Sequence, residues 1–273
     1  GNRPLAPPPG LGSAAAALAA ALYLPGAQAH NFWMLPSSTV MSSPQWITVD
    51  AAVANDFFYF NHQPLRLDNL AITAPDGSSV AAENMHRGKL RSVFDVNLAK
   101  PGTYRLAVAN QALFASYKLN GERKRWRGTA ATFAKDIPAN AEELDVTESI
   151  SRLETFVTVG KPSQLAPTNV GLELVPVTHP NDLVSGEAAT FKLQVDGKPA
   201  ANIEVVMVSG GSRYRDKVGE IKVKTDANGQ FSVKWPQPGM YWLDADAEDN
   251  KTSMPQAKKR RLAYTATLEV MAQ

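Results

Sequence analysis

Residues 94–104 read FDVNLAKPGTY, and residues 231–241 read FSVKWPQPGMY. In both stretches a Phe-x-Val alternation is followed by Pro-Gly and then, one residue on, by Tyr. Phe94 and Phe231 stand seven residues before Pro101 and Pro238, and ten before Tyr104 and Tyr241. Alternate residues of a strand point to one side. Phe and Val therefore pack inward, Pro-Gly reverses the chain, and Tyr opens a second strand on the same core. Two copies of this unit predict two sandwiches.

The sequence around these copies reads the same way. Short β-prone runs such as Gln45–Ala54, Ala189–Val195 and Ile203–Val208 alternate with Pro75-Asp76-Gly77, Asn120-Gly121, Asp196-Gly197 and Asn228-Gly229. Helical periodicity is scarce. The expected fold class is all-β: two tandem antiparallel β-sandwich (immunoglobulin-like) domains, over residues 30–165 and 166–273, with a short connecting helix or irregular segment. Ala139–Phe156, with Glu142-Glu143-Leu144, is the stretch expected to be that helix or an edge connection. The boundary falls near Lys161-Pro162 and Ala166-Pro167.

Composition narrows the function. The chain has 273 residues, 28 Lys+Arg against 26 Asp+Glu, and 44% hydrophobic residues. That balance argues against a nucleic-acid binder, which needs a basic excess. No cysteine is present, so disulfides, thiolate metal sites and Fe–S clusters are excluded. Leu11–Leu24 reads LGSAAAALAAALYL and is followed by Ala27-Gln28-Ala29. This is a signal-peptide pattern over residues 1–29, with an apolar run too short for a comfortable membrane span. Export to the periplasm and no membrane span after cleavage are expected. Cleavage after Ala29 would leave 244 residues (273 − 29) beginning with His30.

A chain that begins with His carries its own chelate. The α-amine and imidazole Nδ1 can hold one metal ion, and a further imidazole completes a nitrogen site suited to Cu(II) or Ni(II). Strand counting asks which histidines could arrive. If 31–36 runs down, 45–54 runs up and leaves the loop 55–67, with Asp56 and His62, at the starting pole. Strands 68–73 and 78–83 then bring a loop 84–88, with Met85 and His86, to the same pole before 90–97 descends. His30, His62 and His86 are the expected metal ligands, with Asp56 and Met85 as weaker candidates. His179, between Thr178 and Pro180, is expected to make hydrogen bonds.

Other features have competing readings. Arg123, Arg125 and Arg127 alternate and share one face of a strand. They could receive an anionic ligand or surface, or simply blunt an edge. Phe57-Phe58-Tyr59-Phe60 divides between core and pocket wall. Asp244, Asp246, Glu248 and Asp249 resemble a hard-cation patch but read better as solvated strand ends. Lys258-Lys259-Arg260-Arg261 reads as a solvated turn before a last strand at Tyr264–Val270. No G-x-S-x-G, H-E-x-x-H, phosphate loop or dinucleotide fingerprint occurs, so no catalytic residues are assigned and an enzyme is not expected.

Ala29-His30-Asn31-Phe32-Trp33, Thr155–Gly160 (TFVTVG), Gly171-Leu172-Glu173-Leu174-Val175-Pro176 and Gly197-Lys198-Pro199 resemble an uncharacterised bacterial periplasmic family. That family is often described as the periplasmic component of a cobalt or nickel uptake system. The last domain also resembles the carboxypeptidase-regulatory or transthyretin-like sandwiches, which are usually non-catalytic. The His30 chelate suits copper or nickel. Together with the resemblance to cobalt or nickel uptake components, it leads to the expectation of an accessory protein that binds a transition metal ion or metal complex for uptake or handling, with copper, nickel or cobalt as the metal. The alternatives are a module docking on an envelope transporter or receptor, and a mononuclear copper oxidoreductase built on His30.

Overall fold

The structure, a computed structural model, describes residues 31–211 and 219–273. The first part of the chain forms β1 (Asn31–Pro36), β2 (Val40–Met41), β3 (Gln45–Ala54), β4 (Gln63–Pro64), β5 (Leu70–Thr73), β6 (Ser79–Val80), β7 (Glu83–Arg87), β8 (Ser92–Leu98), β9 (Gly102–Leu119), β10 (Glu122–Gly128) and β11 (Glu142–Val159). The second forms β12 (Leu172–Pro176), β13 (Ala188–Val195), β14 (Lys198–Pro199), β15 (Glu204–Ser209), β16 (Glu220–Lys224), β17 (Gln230–Lys234), β18 (Gly239–Asp249) and β19 (Lys259–Val270).

The quoted repeat is a tyrosine corner in both copies. Tyr104 Oη accepts from the Lys100 backbone N–H at 2.9 Å, and Tyr241 Oη donates to the Gln237 carbonyl at 2.7 Å. Phe94, Val96, Phe231 and Val233 are buried beside them. The turn glycines are left-handed, at φ +120° for Gly102 and +131° for Gly239. A Cβ on Gly102 would also meet Pro75 Cβ at 2.6 Å, so no other residue fits there.

The two sandwiches share one sheet. A five-stranded sheet, β1-β3-β8-β7 with β4 on β3, and a four-stranded sheet, β12-β13-β14 with β17 on β13, lie on opposite faces of a ten-stranded sheet. That sheet runs β16-β15-β18-β19-β11-β9-β5-β6, with β10 on β9 and β2 on β11. β11 stands at the junction. Its Leu153, Val157 and Val159 face the first core with Met34, Val49, Phe94 and Leu106. Its Phe156 faces the second with Leu174, Phe191, Trp235 and Leu268.

The all-β sandwich class stands. Pairing is antiparallel throughout the three sheets except along β11, which runs parallel to β19, with Arg152 opposite Tyr264, and to the short β2. The last strands of the two sandwiches meet edge to edge, and no hairpin constrains their direction. One expectation is corrected: residues 139–156 are not helical, since most of them belong to β11. With both faces buried between Leu153 and Val159, the usual polar alternation disappears, and so does the sequence signal for a strand. The helix lies earlier, at Ala130–Asp136. The Thr129 side chain accepts from the Thr132 backbone N–H, and the Thr132 hydroxyl reaches back to the Thr129 backbone N–H. The helix packs Phe133 on Trp126 with ring centroids 5.6 Å apart.

The basic run also differs from its reading as a turn. β19 begins at Lys259, and Arg260 is 4% exposed. Its guanidinium takes Asp249 through two bonds of 2.9 and 2.8 Å and Asp196 at 2.8 Å, which is what allows a charge to sit there.

Candidate functional site

Among the described residues, the first sandwich is open at one end. Its smaller sheet stops where Asn31 pairs with Ala54 and Gln63 with Val53. The large sheet continues past this level, with β9 running on to Leu119 and β11 beginning at Glu142. The face of β9 that gives Tyr104, Leu106 and Val108 to the core therefore extends outward as Asn110, Ala112 and Phe114. On β11 the same face extends from Leu153 to Ser151 and Ser149, opposite Asn110 and Ala112. Phe32, on the core side of β1 with Met34, faces them. Phe32 and Phe114 are 49% and 41% exposed. Between these walls lies a cleft of about 580 Å³ bordered by Arg66 and Arg127, with no acidic side chain among the described residues that line it. Arg152 also borders it, but its guanidinium turns to the other face of β11, 2.7 Å from Glu154.

β10 carries the alternating arginines onto this same side. The hairpin is closed by Asn120 and Gly121 at φ +50° and +80°, and Arg127 pairs with Phe114, Arg125 with Ser116 and Arg123 with Lys118. Arg127 lies 5.4 Å over the Phe114 ring. Arg123 is tied to Glu143 at 3.0 Å and to Ser116 Oγ at 3.1 Å. The aromatic run faces elsewhere. Phe58 and Phe60 pack on Trp33 at 5.6 and 5.3 Å, and Phe57 packs on Trp242 at 4.8 Å. It fastens the first sandwich to the C-terminal half of the large sheet.

His30 and residues 1–29, the stretch expected to be an export segment, lie outside the described residues. His62 precedes Gln63 and is exposed at the open pole. His86 is at the same pole but within a strand, because β7 runs to Arg87 and the turn is 88–91. His86 pairs with Val93, and Val93 pairs with Asp50. By strand register, His62 and His86 are roughly 14 Å apart at Cα. Arg91 occupies that sheet face, bound to Asp50 at 3.1 Å and lying 4.8 Å over the Phe60 ring. Side chains stand across a sheet and not along it, so the two imidazoles do not converge. Among the described residues, no three His, Asp or Glu side chains group as a metal site. Asp56 accepts from Asn61 Nδ2 at 2.9 Å, and Met85 is half exposed on β7.

His179 makes hydrogen bonds at the junction between the sandwiches. Its Nδ1 accepts from the Asn181 backbone N–H at 3.0 Å, and its Nε2 lies 2.9 Å from the Ser163 carbonyl. That geometry assigns the neutral Nε2–H tautomer. Burial holds its pKa below the usual imidazole range, against the opposing pull of the Ser163 bond.

The acidic stripe of β18 is largely neutralised at its end, where Asp249 meets Arg260 and Glu248 lies 3.8 Å from Lys259. Asp244 is different. It accepts from Thr265 Oγ1 at 3.0 Å, and burial, followed by the charge of Asp246, pushes its carboxyl up to about 8. The folded chain then holds this proton more tightly than the unfolded one. Its stabilising contribution is complete below about pH 4 and is lost as pH rises through about 8. Asp244→Asn is expected to raise stability at about pH 8 and to remove a slope of at most about 1.4 kcal/mol per pH unit. Urea unfolding at several pH values reads this directly; an unaltered slope would assign the titration to another group.

Residues 27–249 match the family described as "Domain of unknown function (DUF4198)". No curated protein matches. Among solved structures, the chain is similar to the D0-D1 domain of intimin at 14% identity, covering 87% of this chain and 97% of that one, with a TM-score of 0.23. It is also similar to FdeC, an Escherichia coli adhesin, at 14% identity, with 89% and 63% covered and a TM-score of 0.20. Trypsin-activated α-2-macroglobulin from Escherichia coli gives 11% identity and a TM-score of 0.23, with 89% of this chain but only 15% of the larger protein covered. At such scores the fold rests on the chain's own sheets.

Proposed function

This chain belongs to the DUF4198 family, and we propose that it is a periplasmic accessory protein that captures a transition metal ion or metal complex at the open pole of its first sandwich, for uptake or handling. The supporting observation is the register around β3. Asn31 and Gln63 flank that strand from its two sides, one residue level apart, which corresponds to about 10 Å between their Cα atoms. The residues before them are His30 and His62. Removal of the export segment after Ala29 frees the His30 amine, whose ordinary pKa near 8 lets a metal displace its proton near neutrality. The amine and imidazole form the chelate, and His62 supplies a further nitrogen. His86 stands lower on the sheet and contributes to the pole without joining this set. Nitrogen donors of this kind suit copper, nickel or cobalt, with selectivity set by geometry and supply. The resemblance to cobalt and nickel uptake components accords with that donor set.

The chain beginning at His30 is expected to bind one equivalent of Cu(II) or Ni(II) by calorimetry. A chain with one extra residue before His30 should bind far more weakly, because the nitrogen is then an amide. Equal affinities would remove the chelate. Redox cycling with substrate turnover would move the reading to a copper oxidoreductase. A second reading is docking on an envelope transporter or receptor. Its support is the face of β10 that no described residue covers, where Arg123, Arg125 and Arg127 stand in a row, and it would be favoured if neither chain bound metal.

A further inference from the structure

We propose that the cleft at the mouth of the first sandwich binds a small amphipathic carboxylate, an acyl or aryl body with a single anionic head. This goes beyond the metal reading and does not depend on it. The cleft is the continuation of a sandwich core past the end of the sheet that covers it. Its walls are therefore apolar by the same alternation that builds the core, with Val108, Ala112 and Leu153 continuing the interior and Phe32 and Phe114 left partly exposed. Its volume of about 580 Å³ lies within the range of small-molecule sites, roughly 300–1,000 Å³. Asn110, Ser149 and Ser151 place polar groups along one wall.

Charge selects the ligand. Arg66 and Arg127 border the cleft, and among the described residues no carboxylate lines it. Among the described residues neither guanidinium has a salt-bridge partner, whereas Arg123, four residues before Arg127 on the same face of β10, is bound to Glu143. Arg127 is held over Phe114 at 5.4 Å, which uses the plane of the guanidinium and leaves its N–H edge for a carboxylate. An aliphatic or aromatic tail then covers Phe32 and Phe114. An inorganic anion would leave those rings in water, and a neutral apolar molecule would leave the cations unanswered.

The test is titration of the full chain with octanoate and 2-naphthylacetate, with 2-naphthylacetamide as the neutral isostere, in excess EDTA. The carboxylates are expected to bind saturably at one site, and the amide roughly tenfold or more weakly. Arg127→Gln and Arg66→Gln, both at exposed positions, should each weaken carboxylate binding by about tenfold and leave amide binding unchanged. Absent or unsaturable binding overturns the proposal, as do equal affinities for acid and amide or arginine variants that bind like the parent. Carboxylate binding that appears only when EDTA is replaced by Cu(II) places the ligand on the metal; it overturns this assignment while leaving the metal reading standing.

Discussion

Glu154→Ala is expected to lower the unfolding free energy by about 3–5 kcal/mol, the range for breaking a buried ion pair from one side. Glu154 is 1% exposed in the middle of β11. Arg152 Nε is 2.7 Å from it, and Arg105 Nε 3.4 Å away. The Tyr264 hydroxyl donates to the same carboxylate. These groups come from β9, β11 and β19, the three strands that join one sandwich to the other. Removing the carboxylate strands two poorly solvated guanidinium groups and leaves Tyr264 without its acceptor, so desolvation costs are no longer offset. Glu154→Gln keeps a hydrogen-bond acceptor for Tyr264 and should lose less. Urea denaturation should show one transition for both sandwiches, because the strand they share melts with either. As a contrast, Glu143→Ala, at an exposed ion pair with Arg123, should change stability by no more than about 1 kcal/mol. A loss for Glu154→Ala as small as that would show that the cluster does not hold the junction.

Trp33→Ala should cost a similar amount, about 3–5 kcal/mol, from lost burial and the cavity left behind. Trp33 is fully buried against Ala52 and Ala54, with Phe58 and Phe60 on its ring. Next to it, Trp242 Nε1 donates to the Phe32 carbonyl at 3.0 Å. The pair anchors the first strand at the end where metal capture and carboxylate binding are proposed, so the variant should also weaken any metal or carboxylate binding measured there. Trp33→Phe should be milder than volume alone suggests. The Trp33 indole N–H is buried with no hydrogen-bond partner among the described residues, and phenylalanine removes that unsatisfied donor. Thermal unfolding with near-ultraviolet dichroism separates the two variants; an alanine variant as stable as the parent would mean that the aromatic loop closes over the gap.

Much of the architecture was legible because local chemistry and tertiary packing agree in it. The Pro-Gly-x-Tyr units mark tyrosine corners, and the Asn120-Gly121 and Asp196-Gly197 pairs sit at left-handed φ in hairpins. The up-and-down count placed His86 in a loop beside His62, whereas His86 lies within β7, level with Asp50 of β3. The count failed to say how far apart they stand, because register across β4, β3, β8 and β7 depends on partners distant in sequence. Nothing local marks β11 as a strand buried on both faces, nor its parallel pairing with β19. Both follow from the packing of one sandwich beside the other. The cleft was hidden for the same reason. Arg127 and Phe114 are opposite one another on a hairpin, but Arg66 and Phe32 come from elements whose only relation is the end of a sheet. The helix at Ala130–Asp136 had a detectable signal, Thr129 followed by Thr132, with Thr in the place where a capping box more often has Glu or Gln.

Pulsed electron paramagnetic resonance on the chain processed to His30 and loaded with one equivalent of Cu(II) asks the decisive question. Couplings to the remote nitrogens of two imidazoles are expected, with one set lost in His62→Ala and both retained in His86→Ala. A spectrum indifferent to His62, or one that loses an imidazole with His86, would contradict capture by the residues flanking β3.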